Sequence, residues 1–190
     1  MKTKNRILSS ILSLCLMCGM AVPTFAANVS TAGGTGTTPV ELTAAATTFS
    51  VTVPTSIAIT VNADASVTCP SASAVKITNN SAGAVKVSNI AMNNGTWTLA
   101  SYNGGSRALL AAENVDAKKL GFQLAVTGDT AATATDGNQT LTHDASDWVI
   151  DPGEELQITT SAIATAVSAA ISEAETAANV VFTIGWNTAA

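Results

Sequence analysis

The sequence holds a single histidine, His143. A catalytic imidazole needs a nucleophile and an orienting group, and no Gly-x-Ser-x-Gly or comparable frame is present. His143 stands in the polar run His143-Asp144-Ala145-Ser146-Asp147, which reads as an exposed turn. Cysteine is scarce too, with three in all, and Cys15 and Cys18 lie in an apolar leader. Once that leader is removed only Cys69 remains, so no intrachain disulfide can form, and one thiol with one imidazole cannot build a zinc site. Cys69, followed by Pro70, reads as a partly buried thiol, with an interchain crosslink as the alternative.

The leader has the three parts of a secretory signal: Lys2, Lys4 and Arg6, an apolar run over 7–22, and the small-residue exit Thr24-Phe25-Ala26. Cleavage is expected after Ala26, giving a signal peptide at 1–26. Leu14 and Met17 precede the two leader cysteines where a lipoprotein signal needs a small residue, which argues against a lipid anchor. Processing leaves five Lys and Arg against thirteen Asp and Glu, a formal net of −8. Only Lys118 and Lys119 are adjacent, so neither a nucleic-acid partner nor an anionic membrane surface is expected after processing. Residues 27–38 are Ala, Ser, Thr and Gly with almost no apolar content, and read as a flexible tail. The remainder, 39–190, is enough chain for one hydrophobic core.

What that remainder does carry is a period of two. Phe49, Val51 and Val53 alternate with Ser50 and Thr52, and after Pro54 the pattern restarts at Ile57, Ile59 and Val61. Val75 and Ile77, the turn formers of 79–83, and then Val85 and Val87 read as a β-hairpin. Ile90 and Met92 then break parity with Val87, which calls for a bulge near Ser88-Asn89. Trp97 and Leu99 share a face, and Trp97 is placed at the centre of the core. A loop with a helical turn is expected over 107–119. Phe122, Leu124 and Val126 alternate, and Asp136-Gly137 is a hairpin-turn dipeptide. Trp148 and Ile150 precede the turn Asp151-Pro152-Gly153-Glu154, and Val180, Phe182, Ile184 and Trp186 share the last strand. The alanine-rich segment 161–178 carries Ile163, Val167 and Ile171 at helical spacing, so helix and long connection both stand as readings. The expected fold is all-β: an antiparallel two-sheet β-sandwich of about 8–10 strands.

Chemistry-bearing clusters are few. Asp144, Asp147, Asp151, Glu154 and Glu155 could offer oxygens to calcium, but their spacing matches no EF-hand loop, and a solvated charged loop is the favoured reading. A glycosidase pair of acids has no positive sign of a cleft. The three tryptophans could form a sugar-stacking platform, yet each shares parity with apolar neighbours, which favours burial. No catalytic, cofactor-binding or metal residue is assigned, and no enzyme is expected. Val40 and Leu42 alternate with Glu41 and Thr43 behind the tail, and this short strand is the one best placed to pair with a neighbouring molecule.

Gly95-Thr96-Trp97-Thr98-Leu99, about forty residues after Phe49-Ser50-Val51-Thr52-Val53-Pro54, resembles the first Trp-x-Leu motif of WxL-domain proteins. Near the C-terminus Gly185-Trp186-Asn187-Thr188 keeps the Trp of that family's second motif but has Thr in place of Leu. The resemblance implies secretion by a Gram-positive bacterium and non-covalent attachment to the cell wall, with Trp97, Leu99 and Trp186 as the wall-binding candidates. A second likeness, through the Asp151–Glu154 turn and the N-terminal strand, is to camelysin-like and biofilm-matrix β-sandwich proteins. The expectation is a non-enzymatic cell-surface or extracellular-matrix protein that binds cell-wall polymer or other envelope proteins. The alternative is a self-assembling fibre subunit donating the Val40–Leu42 strand, and a carbohydrate-binding module is a distant third.

Overall fold

The longest strand, β5 (Val85–Asn94), alternates Val85, Val87, Ile90 and Met92 inward, each sealed from solvent, against Lys86, Asn89, Ala91 and Asn93. Its inward set changes parity at Ser88. The register with β13 (Ala178–Trp186) shows how: Thr183 faces Asn89 and Ile184 faces Val87, so Ser88 is the extra residue of a bulge. The Ser88 hydroxyl donates to the Thr183 carbonyl at 3.2 Å across that irregularity.

The computed structural model describes residues 32, 40, 42–102 and 108–188. The expected signal peptide, nearly all of the tail 27–38, and turn residues 103–106 lie outside the described residues. The chain divides after Ala44, and every described strand falls within Ala45–Ala190. The fold is all-β. The described strands number thirteen because six of them are only two residues long. The longest helix among the described residues is the turn α1 (Ala108–Ala111), and none is long and apolar enough to cross a membrane.

β5 lies between β13 on one side and two short strands, β9 (Gln139–Thr140) and β10 (Val149–Ile150), on the other. A second sheet pairs β12 (Thr159–Ala164), β7 (Lys119–Ala125) and β6 (Thr98–Ala100), with β8 (Ala132–Thr133) also on β7. The β6–β7 pair is parallel, as the connection through α1 permits. A third sheet orders β1 (Val51–Thr52), β4 (Lys76–Asn79) and β11 (Glu155–Gln157), and β2 (Thr60–Val61) forms a small hairpin with β3 (Val67–Thr68). Side chains of the three larger sheets meet in one core, including Ile77, Ile90, Leu99, Leu124, Trp148 and Ile158. Each such side chain contributes about 1.5–3 kcal/mol when fully buried.

Three expectations are corrected and one open alternative is decided. First, β4 and β5 are not a hairpin but belong to different sheets. The buried Asn79 makes the corner: its side-chain nitrogen donates to the carbonyls of Gly83 (2.9 Å), Ile150 (2.9 Å) and Asp151 (3.1 Å), while its Oδ1 accepts the Ser81 N–H at 2.9 Å. Second, Asp136-Gly137 likewise links strands of two sheets, β8 and β9, with Gly137 at φ 75°. Third, of the two readings open for 161–178 the helix does not form, and 165–177 is a connection. Residues 161–164 extend β12, whose ladder with β7 runs from Thr159 opposite Ala125 to Ala164 opposite Leu120, and long-range pairing overrides the helical propensity of alanine. Fourth, Trp148 occupies the main core, whereas Trp97 packs in a satellite cluster with Leu120 and Ala164. The turn at Asp151–Glu154 is as expected, with Gly153 at φ 78° and the Glu154 N–H on the Asp151 carbonyl at 3.1 Å.

Candidate functional site

Trp97 stands in the bend between β5 and β6. Its N–H donates to the Ala177 carbonyl at 3.2 Å, and the neighbouring Gly95 and Thr96 amides donate to Ala177 and Thr176. A Cβ on Gly95 would lie 2.1 Å from the Thr176 carbonyl oxygen, so only glycine allows this approach. The indole Nε1–H donates to Glu175 at 2.5 Å, and Lys118 Nζ reaches the same carboxylate at 3.1 Å. The Trp97 hydrogen bond, followed by Lys118, holds the Glu175 carboxyl below its ordinary range. Leu99 points into the main core, 1 % exposed, and its N–H donates to Asn94 Oδ1 at 2.8 Å. The two apolar residues of the motif are thus both interior, one in each cluster rather than on one shared face.

Trp186 is at the other end of β13. Ala178, beside the Trp97 bend, and Trp186 are separated by eight residues of extended strand, roughly 27 Å. Trp186 is half-buried, meets Phe49 edge-on at 5.1 Å and 87°, and covers Gly83, where a Cβ would come within 3.0 Å of the indole. The fold therefore does not assemble Trp97, Leu99 and Trp186 into one surface. Val40 and Leu42 are 95 % and 88 % exposed and belong to no strand, and residues 42–50 are exposed throughout.

His143 is not the exposed turn residue expected. It is partly buried, edge-on to Trp148 at 5.6 Å, with Nε2 3.3 Å from the Val87 carbonyl and Nδ1 3.5 Å from that of Leu141. The Leu141 carbonyl is two residues away, but that of Val87 comes from distant β5, which no local pattern announces. The imidazole borders a groove of about 630 Å³ lined by Asp129, Thr133, Gln139, Thr140 and Asp144 among others. Three of the polar groups there are bonded within the protein. Asp129 accepts the Trp148 Nε1–H at 2.6 Å, the Thr135 hydroxyl donates to Gln139 at 2.7 Å, and Asp144 accepts the amide and hydroxyl of Ser146. Those Ser146 bonds hold the Asp144 carboxyl below its usual value.

The five acids of 144–155 do not converge. Glu155 pairs with Lys76 at 2.7 Å, Asp144 is turned to Ser146, and among the described residues no three His, Cys, Asp or Glu side chains come together to hold a metal. Cys69 is partly buried as expected, and burial pushes its thiol up. No protein-family model, curated protein or solved structure matches this chain.

Proposed function

We propose that the chain is a non-enzymatic protein of the cell surface or extracellular matrix that works by association, binding cell-wall polymer or other envelope proteins. One observation carries this reading: the two buried indoles and the imidazole are turned inward or tied down, while the outward row of the long strand β13 holds only uncharged side chains. The indoles of Trp97 and Trp148 are bonded to Glu175 and Asp129, and both nitrogens of His143 face carbonyls. Outward on β13 stand Asn179, Val181 and Thr183. The secretory pattern of 1–26 and the likeness of 95–99 to the WxL motif support an extracellular setting, with Trp97 and Leu99 shaping the scaffold rather than touching polymer. The chain from Ala27 onward should co-sediment with purified Gram-positive cell walls or capture envelope proteins from an extract. Recovery of all of it in the supernatant, free of partners, refutes the reading.

A second reading, self-assembly by strand donation, is favoured by the near-complete exposure of Val40 and Leu42, which belong to no strand. Electron microscopy of the same chain with and without residues 27–46 tests it. Fibres that require the arm support donation, and fibres that persist without it refute it.

A further inference from the structure

Among the described residues β13 is an edge strand. In the ladder with β5, Trp186 faces Val85, Ile184 faces Val87, Phe182 faces Ile90 and Val180 faces Met92. The four β5 members are 0–1 % exposed, yet all four β13 members are only half-buried. The asymmetry has a simple cause. β5 is flanked on both sides, whereas among the described residues β13 has no strand partner but β5. A row of large apolar side chains is left half-covered along nine residues of edge.

Natural edge strands are blunted by Lys, by proline, by bulges or by shortness. β13, Ala-Asn-Val-Val-Phe-Thr-Ile-Gly-Trp, has none of these protections: it carries no charge and no proline, and the extra residue of the bulge is on β5. We infer that β13 pairs antiparallel with β13 of a second copy of this chain, about a two-fold axis at Phe182.

The strand's own sequence selects this occupant. With Phe182 on the axis, Ala178 faces the second copy's Trp186, Asn179 its Gly185, Val180 its Ile184 and Val181 its Thr183. The bulkiest side chain meets one of the smallest, and β-branched residues meet each other, the cross-strand pairs that stabilise sheets. An isologous contact of this kind closes on itself and yields a dimer rather than a filament. The uncharged seam also lets two acidic chains approach without like charges opposed. One strand pair is a small interface, near or below roughly 1,200 Å², so the dimer depends on concentration. The inference is independent of wall binding.

The test uses the chain from Ala27 onward with Cys69→Ser to remove the native thiol. Sedimentation velocity should show a monomer–dimer equilibrium, and a monomer persisting up to about 1 mM overturns the inference. Val181 is exposed, so Val181→Lys should keep the native circular dichroism while losing the dimer. Paired Val181→Cys and Thr183→Cys should give an oxidised covalent dimer, and Thr183→Cys alone should not, because in this register 183 faces the second copy's 181 and not its 183. Equal crosslinking by the single variant overturns the register. Loss of the dimer on deleting residues 27–46 makes the arm the occupant and overturns β13 self-pairing.

Discussion

Replacing Asn79 with alanine should be among the most damaging single changes in the chain, although it removes no large apolar group. The residue is fully buried, and its two side-chain N–H groups serve the carbonyls of Gly83, Ile150 and Asp151 while its oxygen takes the Ser81 amide. Its main chain adds two more ties, donating to Glu154 and accepting from Gly153, each at 3.0 Å, and these survive the substitution. Each buried polar group left unpaired costs about 1–3 kcal/mol. Ile150 and Ser81 are buried, whereas Gly83 and Asp151 can recruit water, so the loss works out at about 3–5 kcal/mol. A domain of this size is stable by only about 5–15 kcal/mol. Urea unfolding followed by tryptophan fluorescence measures the change. Asn80→Ala, whose exposed side chain reaches only Thr52, is the control and should cost under about 0.5 kcal/mol. A loss below about 1 kcal/mol for Asn79→Ala would refute the idea that this amide holds the corner between sheets.

Gly95→Ala forces a Cβ against main-chain oxygens of Thr176 and Ala177, and should cost about 1–3 kcal/mol in the same assay; a neutral result would mean the bend relaxes freely. Trp148→Ala, emptying the main core beside Phe182, should cost about 3–5 kcal/mol, and a loss under about 1 kcal/mol contradicts its placement. Glu175 has a depressed carboxyl in the folded state, so its contribution is present above the ordinary value of 4.5 and is lost as pH falls through the lower folded value. The gap in urea midpoint between the parent chain and Glu175→Gln should therefore narrow on acidification below 4.5, and a gap independent of pH would refute the link to Trp97 and Lys118. Cys69 should react with a thiol reagent more slowly than free cysteine at pH 8, since burial disfavours its thiolate; an equal rate would contradict that.

Where structure follows from neighbours in sequence, it could be read in advance. The parity break between Val87 and Ile90 located the bulge at Ser88, the Pro152-Gly153 pair located its turn, and alternation located β7 and β13. Where it follows from distant partners, it could not. The turn formers 79–83 are the same whether the next strand returns beside the last or enters another sheet. Only the pairing of the Asn79 side chain with Ile150 and Asp151, some seventy residues on, decides between them. The alanines of 161–164 favour helix until β7 is beside them. The candidate site divides in the same way. Burial of Trp97 followed from parity, whereas the short strand that alternation suggested at Val40 and Leu42 is not formed. That Trp97 and Trp186 would sit at opposite ends of β13, or that His143 would lean on Trp148, required the register itself.

Hydrogen–deuterium exchange of the chain from Ala27 onward tests most directly the claim that an inward-facing β core is bordered by unpaired, outward-facing chain. The strand β5, paired on both sides, should be the last to exchange, and residues 42–48 should exchange at the rate of unfolded peptide. Rapid exchange across Val85–Asn94, or strong protection over 165–177 as in a helix, would contradict the account.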